Sequence, residues 1–477
     1  MAGTREEKRP LLAAGTEVVG RTTHLTTFFA VACIVDQFGV NPIIVLPRAI
    51  ILCGWIGFPL AMVVFSLTIY TAMLLGRCWV IAQHVDSEMT LKIRYPYSAL
   101  AEKVWGKEVG KFINVYINIA IFCSNIPVLL LASQNLQFFD GIVTKNAFNF
   151  SYCYWLVILG IGLCPLTWLG SPKDSKWISV VSTFLVVLTA SITWTCMITD
   201  DTKAVLYKEM PDPNWRIIGI TFGILAFQFG CHPAILTIQT DMHEKTELAT
   251  SVLFSFLATG GLSLITVLAA SAMYGSGVHA NLIQGLPPTI VLQVGIICVT
   301  LQLFLSSVVG GCSLFQDLED KLGVPSELCW QRCLIRSATV MLAVLAAEML
   351  PRFDLVMGLL GGLFTGPITF IMPPLLYRKY RRLLAQSPVR QYYIESPGTT
   401  RNGFSRFLKR HFFTLDVNLD EGECTVSESV VLSCIVLVGL CATVSATYFS
   451  VVGSFVRTQQ VPPCIVSVDL ASFIVNK

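Results

Sequence analysis

The sequence predicts an all-α polytopic membrane protein of eleven transmembrane helices, ten of them in two groups of five and the last standing apart. Three observations carry this. The chain of 477 residues is 54% hydrophobic and only 13% charged, with mean hydropathy +0.67, outside the range of soluble globular domains. Its apolar stretches reach about 20 residues or more, enough to cross a hydrocarbon layer of roughly 30 Å. A similar Gly/Pro-interrupted pentapeptide occurs in two of these stretches: Phe38-Gly39-Val40-Asn41-Pro42 and Phe229-Gly230-Cys231-His232-Pro233.

Hydropathy places the spans near 23–52, 55–83, 110–138, 153–171, 175–198, 216–239, 250–275, 288–313, 334–350, 353–377 and 428–453. Pro351 leaves the ninth only a short turn before the tenth, and Gly170-Ser171-Pro172-Lys173 joins the fourth to the fifth. A polar tail, 1–22, precedes a core at 23–377, with repeat one at 23–198 and repeat two at 216–377. A basic linker at 378–427 leads to the eleventh span, 428–453, and a tail at 454–477. The polar start and an apolar run opening near Thr22 predict an uncleaved signal-anchor rather than a leader.

The net charge of +3 is too small to suggest nucleic acid; its distribution is more telling. With the N-terminus cytoplasmic, the large majority of the 33 Lys and Arg fall on the inner side: the tail, the stretch from Arg77 to Lys111, Lys173, Lys176, Lys245, Lys321, Arg332, Arg336, and the run from Arg378 to Arg410. The positive-inside rule therefore predicts N-in, C-out. The sequon Asn149-Phe150-Ser151 then falls on the luminal or extracellular face, making Asn149 a glycosylation candidate. The 16 Cys are scattered through apolar segments without metal-binding spacing and read mostly as small buried hydrophobes. Cys153 and Cys196 lie near outward ends of two helices and form the candidate disulfide. No catalytic triad, phosphate loop or metal motif is present, so the chain reads as a non-enzyme without a cofactor.

The two pentapeptides carry the chemistry. Gly breaks a helix through backbone freedom, Pro by losing an N–H and clashing one turn back. Paired interrupted spans in two halves of a chain point to a transporter's substrate site. The distal half-helices, starting near Pro42 and Pro233, would offer free N–H groups and a positive dipole end to a carboxylate. Carbonyls of the proximal halves would hold an ammonium group or a cation. That arrangement suits a zwitterion, of which an amino acid is the smallest common one. The substrate-binding candidates are therefore Gly39, Val40, Asn41, Pro42, Phe229, Gly230, Cys231 and His232; the competing reading of each break is an ordinary kink.

Asp36, two residues before the first break, is deep in an apolar run where a charge is costly, so it reads as a proton or cation site or, alternatively, as a neutral Asp bonded to freed backbone. His232 reads as a pH-sensitive coupling group or as a neutral ring capping the break. Thr300, Ser306 and Ser307 in the eighth span are cation candidates or packing hydroxyls, with Thr300 and Ser306 kept beside Asp36 and His232 as coupling candidates. Asn114, Asn118 and Asn125 share one face of the third, with interhelical hydrogen bonding the favoured reading. Arg48 and Glu348 read as interfacial or gate-pairing groups.

Several stretches resemble the amino acid/auxin permease family. Val45-Leu46-Pro47-Arg48-Ala49 with Gly54-Trp55-Ile56-Gly57 is similar to its Leu-Pro-x-Ala…Gly-Trp segment. Tyr70-Thr71…Leu75-Gly76-Arg77-Cys78-Trp79 and Tyr95-Pro96-Tyr97 resemble its second helix and following loop. Phe227-Gln228-Phe229-Gly230-Cys231-His232-Pro233…Thr237-Ile238-Gln239-Thr240-Asp241-Met242 resembles its Gly-x-His-Pro…Gln-x-Asp-Met segment. The resemblance covers roughly 23–453. It implies a five-plus-five inverted repeat of the leucine-transporter type, with an amino acid bound at unwound first and sixth helices and H⁺ or Na⁺ as coupling ion. Family members often carry Gly-x-Gly before Leu-Pro; Val40, Asn41 and Pro42 depart from that pattern.

The expected function is secondary active transport of small neutral amino acids by alternating access, as an H⁺-coupled symporter. The alternative is a non-transporting amino-acid sensor on the same fold. Glu7-Lys8-Arg9-Pro10-Leu11-Leu12 matches an acidic dileucine sorting signal, with Glu7, Leu11 and Leu12 meeting a sorting adaptor, so the expected location is endolysosomal or the plasma membrane. Lipid is the other expected partner.

Overall fold

The computed structural model describes residues 25–86, 89, 95–145, 150–169, 172–202, 206–325, 327–350, 352–387, 423–457 and 464. The sorting residues Glu7, Leu11 and Leu12, the sequon residue Asn149 and most of the basic linker and C-terminal tail lie outside them.

The apolar spans fold as helices because lipid supplies no hydrogen-bond partners, leaving the backbone to satisfy itself. In chain order they are α1 (Thr27–Phe38), α2 (Asn41–Leu52), α3 (Gly57–Val85), α4 (Pro96–Trp105), α5 (Lys107–Val143), α6 (Tyr152–Leu169), α7 (Pro172–Ile198), α8 (Trp215–Gln228), α9 (His232–Asp241) and α10 (Leu248–Tyr274). There follow α11 (Ile290–Lys321), α12 (Trp330–Glu348), α13 (Phe353–Leu360), α14 (Met372–Gln386) and α15 (Val426–Arg457). Among the described residues only isolated β-bridges occur, no strands. Among the described residues eight helices are long and apolar enough to cross a membrane, nine if the bent pair α1–α2 counts as one; α6 is apolar but shorter. α12, bearing Arg332, Arg336 and Glu348, is less apolar than its neighbours. α14 runs on to Gln386, so residues 378–386 of the predicted linker are helical, with Tyr380, Arg381 and Leu384 buried.

α1 is central, packed against α7 and α10, while α11 packs on α5 and α7 and α12 on α6. The C-terminal end of α11 is tied to its neighbours through three acids. Asp317 accepts from Asn114 Nδ2 (3.0 Å) and Asn118 Nδ2 (2.5 Å) of α5 and pairs with Lys321. Buried Glu319 takes Arg336 Nε at 2.5 Å, and the same guanidinium donates to the Thr167 carbonyl of α6. Asp320 accepts the Tyr95 hydroxyl at 2.6 Å. The amide face of Asn114 and Asn118 is thus interhelical glue, while Asn125 bonds back to the Ile121 carbonyl.

Between α13 and α14 the helix widens into two π-helical turns, Gly361–Thr365 and Pro367–Ile371. Pro367 has no N–H for the Leu363 carbonyl four residues back; the Tyr116 hydroxyl takes that carbonyl instead, at 2.5 Å. This widened segment lies tightly against α8: a Cβ on Gly361 would sit 1.7 Å from the Gly223 carbonyl oxygen, so no other residue fits. α15, outside the repeat, packs along α8 and α13.

The predicted Cys153–Cys196 pair does not form. Cys153, near the start of α6, is disulfide-bonded to Cys464 across 311 residues, and Cys196 is free and buried. Cys464 lies at the start of α6 beside α12, where its N–H donates to the Glu348 carbonyl (3.2 Å), while Cys196 sits on α7 next to Thr289. Peptide mapping of unreduced protein is therefore expected to yield a 153–464 cross-linked peptide with Cys196 alkylatable after unfolding. Cys153→Ser is expected to lower the melting temperature, through a loss of about 2–4 kcal/mol.

Candidate functional site

Both pentapeptides interrupt their helices. The first bends α1 from α2 by 49°. Gly39 there has φ 61° and ψ −154°, a conformation essentially confined to glycine. The second interruption covers Phe229–Cys231, between α8 and α9. In each, Pro is the second residue of the distal helix, where its missing N–H leaves nothing unsatisfied.

Beside the breaks is a cavity of 600 Å³. Gln37, Phe38 and Asn41 line it from the first break, Gly230 and Cys231 from the second, and Ser124 and Asn125 from α5. Gln302, Ser306 and Ser307 come from α11, Thr365 and Ile368 from the widened helix. The wall is rich in amides and hydroxyls, and its charged members, Lys176 and Asp241, lie at the mouth, where Asp241 is solvent-exposed. Asn41 Oδ1 is buried and, among the described residues, has no hydrogen-bond partner.

At the mouth the chain enters α1 through an extended residue, Leu25. Its N–H donates to the Asp241 carbonyl (2.8 Å) and its carbonyl accepts from His243 N–H (3.1 Å). Thr27 Oγ1 donates to Glu247, and Lys176 Nζ lies 5.4 Å from the Phe29 ring centre. The opposite end is shut. Phe38, Phe65, Phe229 and Phe256 meet edge-on or stacked with centroids 4.8–6.3 Å apart. Beyond them the 275–289 loop is tied down: Arg48 donates to the Val278 carbonyl, Asn281 Nδ2 to Asn135 Oδ1 (2.6 Å) and Gln284 Nε2 to the Gln134 carbonyl (3.2 Å). In that loop burial, and then the Arg48 charge, hold His279 below the usual histidine range.

Of the sequence-predicted residues, Asn41, Gly230, Cys231 and Ser306 line the cavity; Gly39, Val40, Pro42, Phe229, His232, Asp36 and Thr300 do not. The space over Gly39 is filled by the Gln302 amide, 2.9 Å from where a Cβ would stand. Phe229 belongs to the aromatic plug, and Pro42 is buried in α2. His232 is fully buried and turned to α3, with Nε2 3.0 Å from Thr71 Oγ1. Thr71 Oγ1 also lies within hydrogen-bond reach of the Leu67 and Thr68 carbonyls, and among the described residues His232 Nδ1 has no partner. Thr300 returns its hydroxyl to the Ile296 carbonyl of its own helix (2.9 Å).

Asp36 is fully buried and, among the described residues, forms no ion pair. Ser179 Oγ donates to its Oδ2 at 3.1 Å and Ser182 Oγ to its Oδ1; Ser306 Oγ donates to its main-chain carbonyl at 2.9 Å. Sequence reasoning missed Ser179, Ser182 and Gln302. Gln302 Nε2 donates to Ser182 Oγ at 3.1 Å, and its Oε1 accepts the Val40 N–H at 3.2 Å. Position 302 lies between the flagged Thr300 and Ser306, and an intramembrane Gln there was the available signal.

A family model described as "Transmembrane amino acid transporter protein" matches residues 22–392. The chain belongs to this family. It is 21% identical over 371 residues to amino acid transporter AVT1I of Arabidopsis thaliana, covering 76% of this chain and 87% of that one. It is 21% identical over 335 residues to AVT1C of the same plant, covering 67% of this chain but 57% of that relative's length. The solved structure of MhsT in complex with L-phenylalanine superposes with TM-score 0.53 at 11% identity, covering 88% of this chain and 98% of that one. The fold is therefore of the leucine-transporter type.

Because Gly39 combines a glycine-only conformation with a close neighbour, Gly39→Ala is expected to cost about 1–3 kcal/mol. The readout is a lower melting temperature together with loss of amino-acid binding in a scintillation proximity assay.

Proposed function

We propose that the protein moves neutral amino acids across a membrane by alternating access, coupled to protons, with the substrate held between the two helix breaks. The observation that carries this reading is the cavity onto which both breaks open. The N-terminal ends of α2 and α9 reach it through Asn41 and Cys231, bringing positive dipole ends to where a carboxylate would sit. A wall of amides and hydroxyls, with charges confined to the mouth, suits an uncharged side chain; a charged one would lack a buried counter-ion. With its outer end plugged and its mouth beside Leu25, the cavity corresponds to a state open towards the N-terminal face.

That face is cytoplasmic in this reading. The clustering of Lys and Arg supports it, and so does the disulfide at the opposite end, since such bonds persist in oxidising compartments. The sorting sequence Glu7…Leu11-Leu12 favours an endolysosomal membrane, where an acidic lumen supplies the proton gradient. Asp36 is the coupling site: a carboxyl buried among hydroxyl donors, without a counter-ion, is costly as an anion and takes up a proton before the bundle rocks. Na⁺ is the competing ion, with Ser306 beside the Asp36 carbonyl as a ligand.

A second reading, an amino-acid sensor without flux, draws on the first break, where Val40, Asn41 and Pro42 are bulkier than the family's Gly-x-Gly. A radiolabelled amino-acid panel on reconstituted protein, under imposed pH and sodium gradients, separates the two: flux supports transport, binding without flux the sensor. Asp36→Asn is expected to reduce pH-gradient-driven uptake to the rate seen without a gradient. Uptake by that variant still following the gradient would remove Asp36 from the coupling role.

A further inference from the structure

We propose that Gln302 is a positioning residue that caps the first break in place of the substrate carboxylate and lets go when Asp36 gains a proton. This rests on the proposed function and adds a device to it. Four elements form one chain: Val40 N–H to Gln302 Oε1 (3.2 Å), Gln302 Nε2 to Ser182 Oγ (3.1 Å), then Ser182 Oγ–H to Asp36 Oδ1. Val40, Gln302, Ser182 and Asp36 are each 0% exposed, and Gln302 borders the cavity through which water would bring the proton.

The direction of the chain follows from its ends. A main-chain N–H only donates, so the Gln302 atom facing Val40 is its oxygen. Its NH₂ therefore faces Ser182, which accepts, leaving the single hydroxyl proton for Asp36. Every donor points towards the carboxylate. A proton taken from water onto Oδ1 reverses the last link: the carboxyl O–H now donates to Ser182, whose own proton must turn away from Asp36. Ser182 Oγ then accepts from both Asp36 and Gln302 Nε2 and no longer donates to an anion, so its bond to Gln302 weakens. Rotating the amide offers no escape, because it sets N–H against the Val40 N–H. Loosened at Ser182, Gln302 swings from the break, and the N–H at the start of α2 becomes free for an incoming carboxylate. Proton and substrate then load together, and the proton returns to water on release.

The other groups around Asp36 do not duplicate this role. Cys33 lies one turn earlier, beside Ser179, and Cys312 on α11 is the further titratable group close enough to feel the carboxyl. Lys176 of α7 is set over Phe29, Asp241 stands at the mouth, His232 of α9 is engaged by Thr71, and α10 contributes Ser255, bonded to the Val31 carbonyl (3.2 Å). Gln302 alone among these reaches the break.

The test compares wild type with Gln302→Ala, Gln302→Met, which keeps the side-chain volume, and Ser182→Ala. The substrate found by the amino-acid panel is used to read KM for uptake into proteoliposomes across pH, and Kd by equilibrium binding to the solubilised protein. Wild-type KM and Kd are expected to fall as pH falls, by roughly ten-fold or more, the size of one charge-assisted hydrogen bond. In the Gln302 variants and in Ser182→Ala that pH dependence is expected to shrink to within two- to three-fold, with KM low throughout for Gln302→Met. A wild-type pH profile in the two Gln302 variants, with melting temperatures showing them folded, would overturn the proposal. Binding without flux in wild type would sink the transport reading alone, because the Kd profile still tests the cap.

Discussion

A membrane helix that stops and restarts leaves peptide groups that lipid cannot satisfy, and the rest of this structure is organised around that constraint. At the first break the neighbours meet it: Gln302 from α11 takes the Val40 N–H, and Ser179 and Ser182 from α7 hold Asp36. The same helices, α7 and α11, pack against each other and against α1, so the broken segment is held by side chains from a wall rather than by its own ladder. The second break is more self-contained, with Gly230 and Cys231 N–H returned to the Phe227 and Phe229 carbonyls. The two breaks are alike in sequence and unlike in support.

That asymmetry is matched in how the surrounding helices are held. The C-terminal end of α11 is fixed by Asp317, Glu319 and Asp320 to α5, α12, α6 and the loop before α4, with Arg336 and Glu319 both buried. Removing either member of that buried pair would strand its partner's charge, so the arrangement resists change. Main-chain bonds at Leu25 tie the start of α1 to the end of α9, so these two half-helices share a support of their own at the cavity mouth.

The breaks were legible in the sequence because Gly and Pro leave a mark on any apolar run, and Asp36 because a carboxylate in such a run is rare. The family resemblance, and with it the fold, was legible from the segments around Gly54-Trp55 and Gln239-Thr240-Asp241-Met242. Orientation of side chains was not. His232 is one residue beyond Cys231 and faces α3 instead of the cavity, a rotation that only the packing of α9 decides. Gln302 carries no charge and breaks nothing, so it does not stand out from the other polar residues of its span, although it touches the break. Cys153 found its partner in a tail beyond the last span, and no local spacing connects positions 311 apart.

The two π-helical turns after α13 have a further effect, on which side of the chain looks inward. Met357 marks the buried stripe of α13; carried forward at about 3.6 residues per turn, the stripe would meet Lys379 and Arg382 in α14. Lys379 and Arg382 are instead exposed, while Tyr377, Tyr380, Arg381 and Leu384 are buried. The phase has slipped by about two residues, one for each extra residue a π turn inserts. Lys379 and Arg382 owe their exposure to those two insertions, and a periodicity drawn straight through the segment would have turned them into the core.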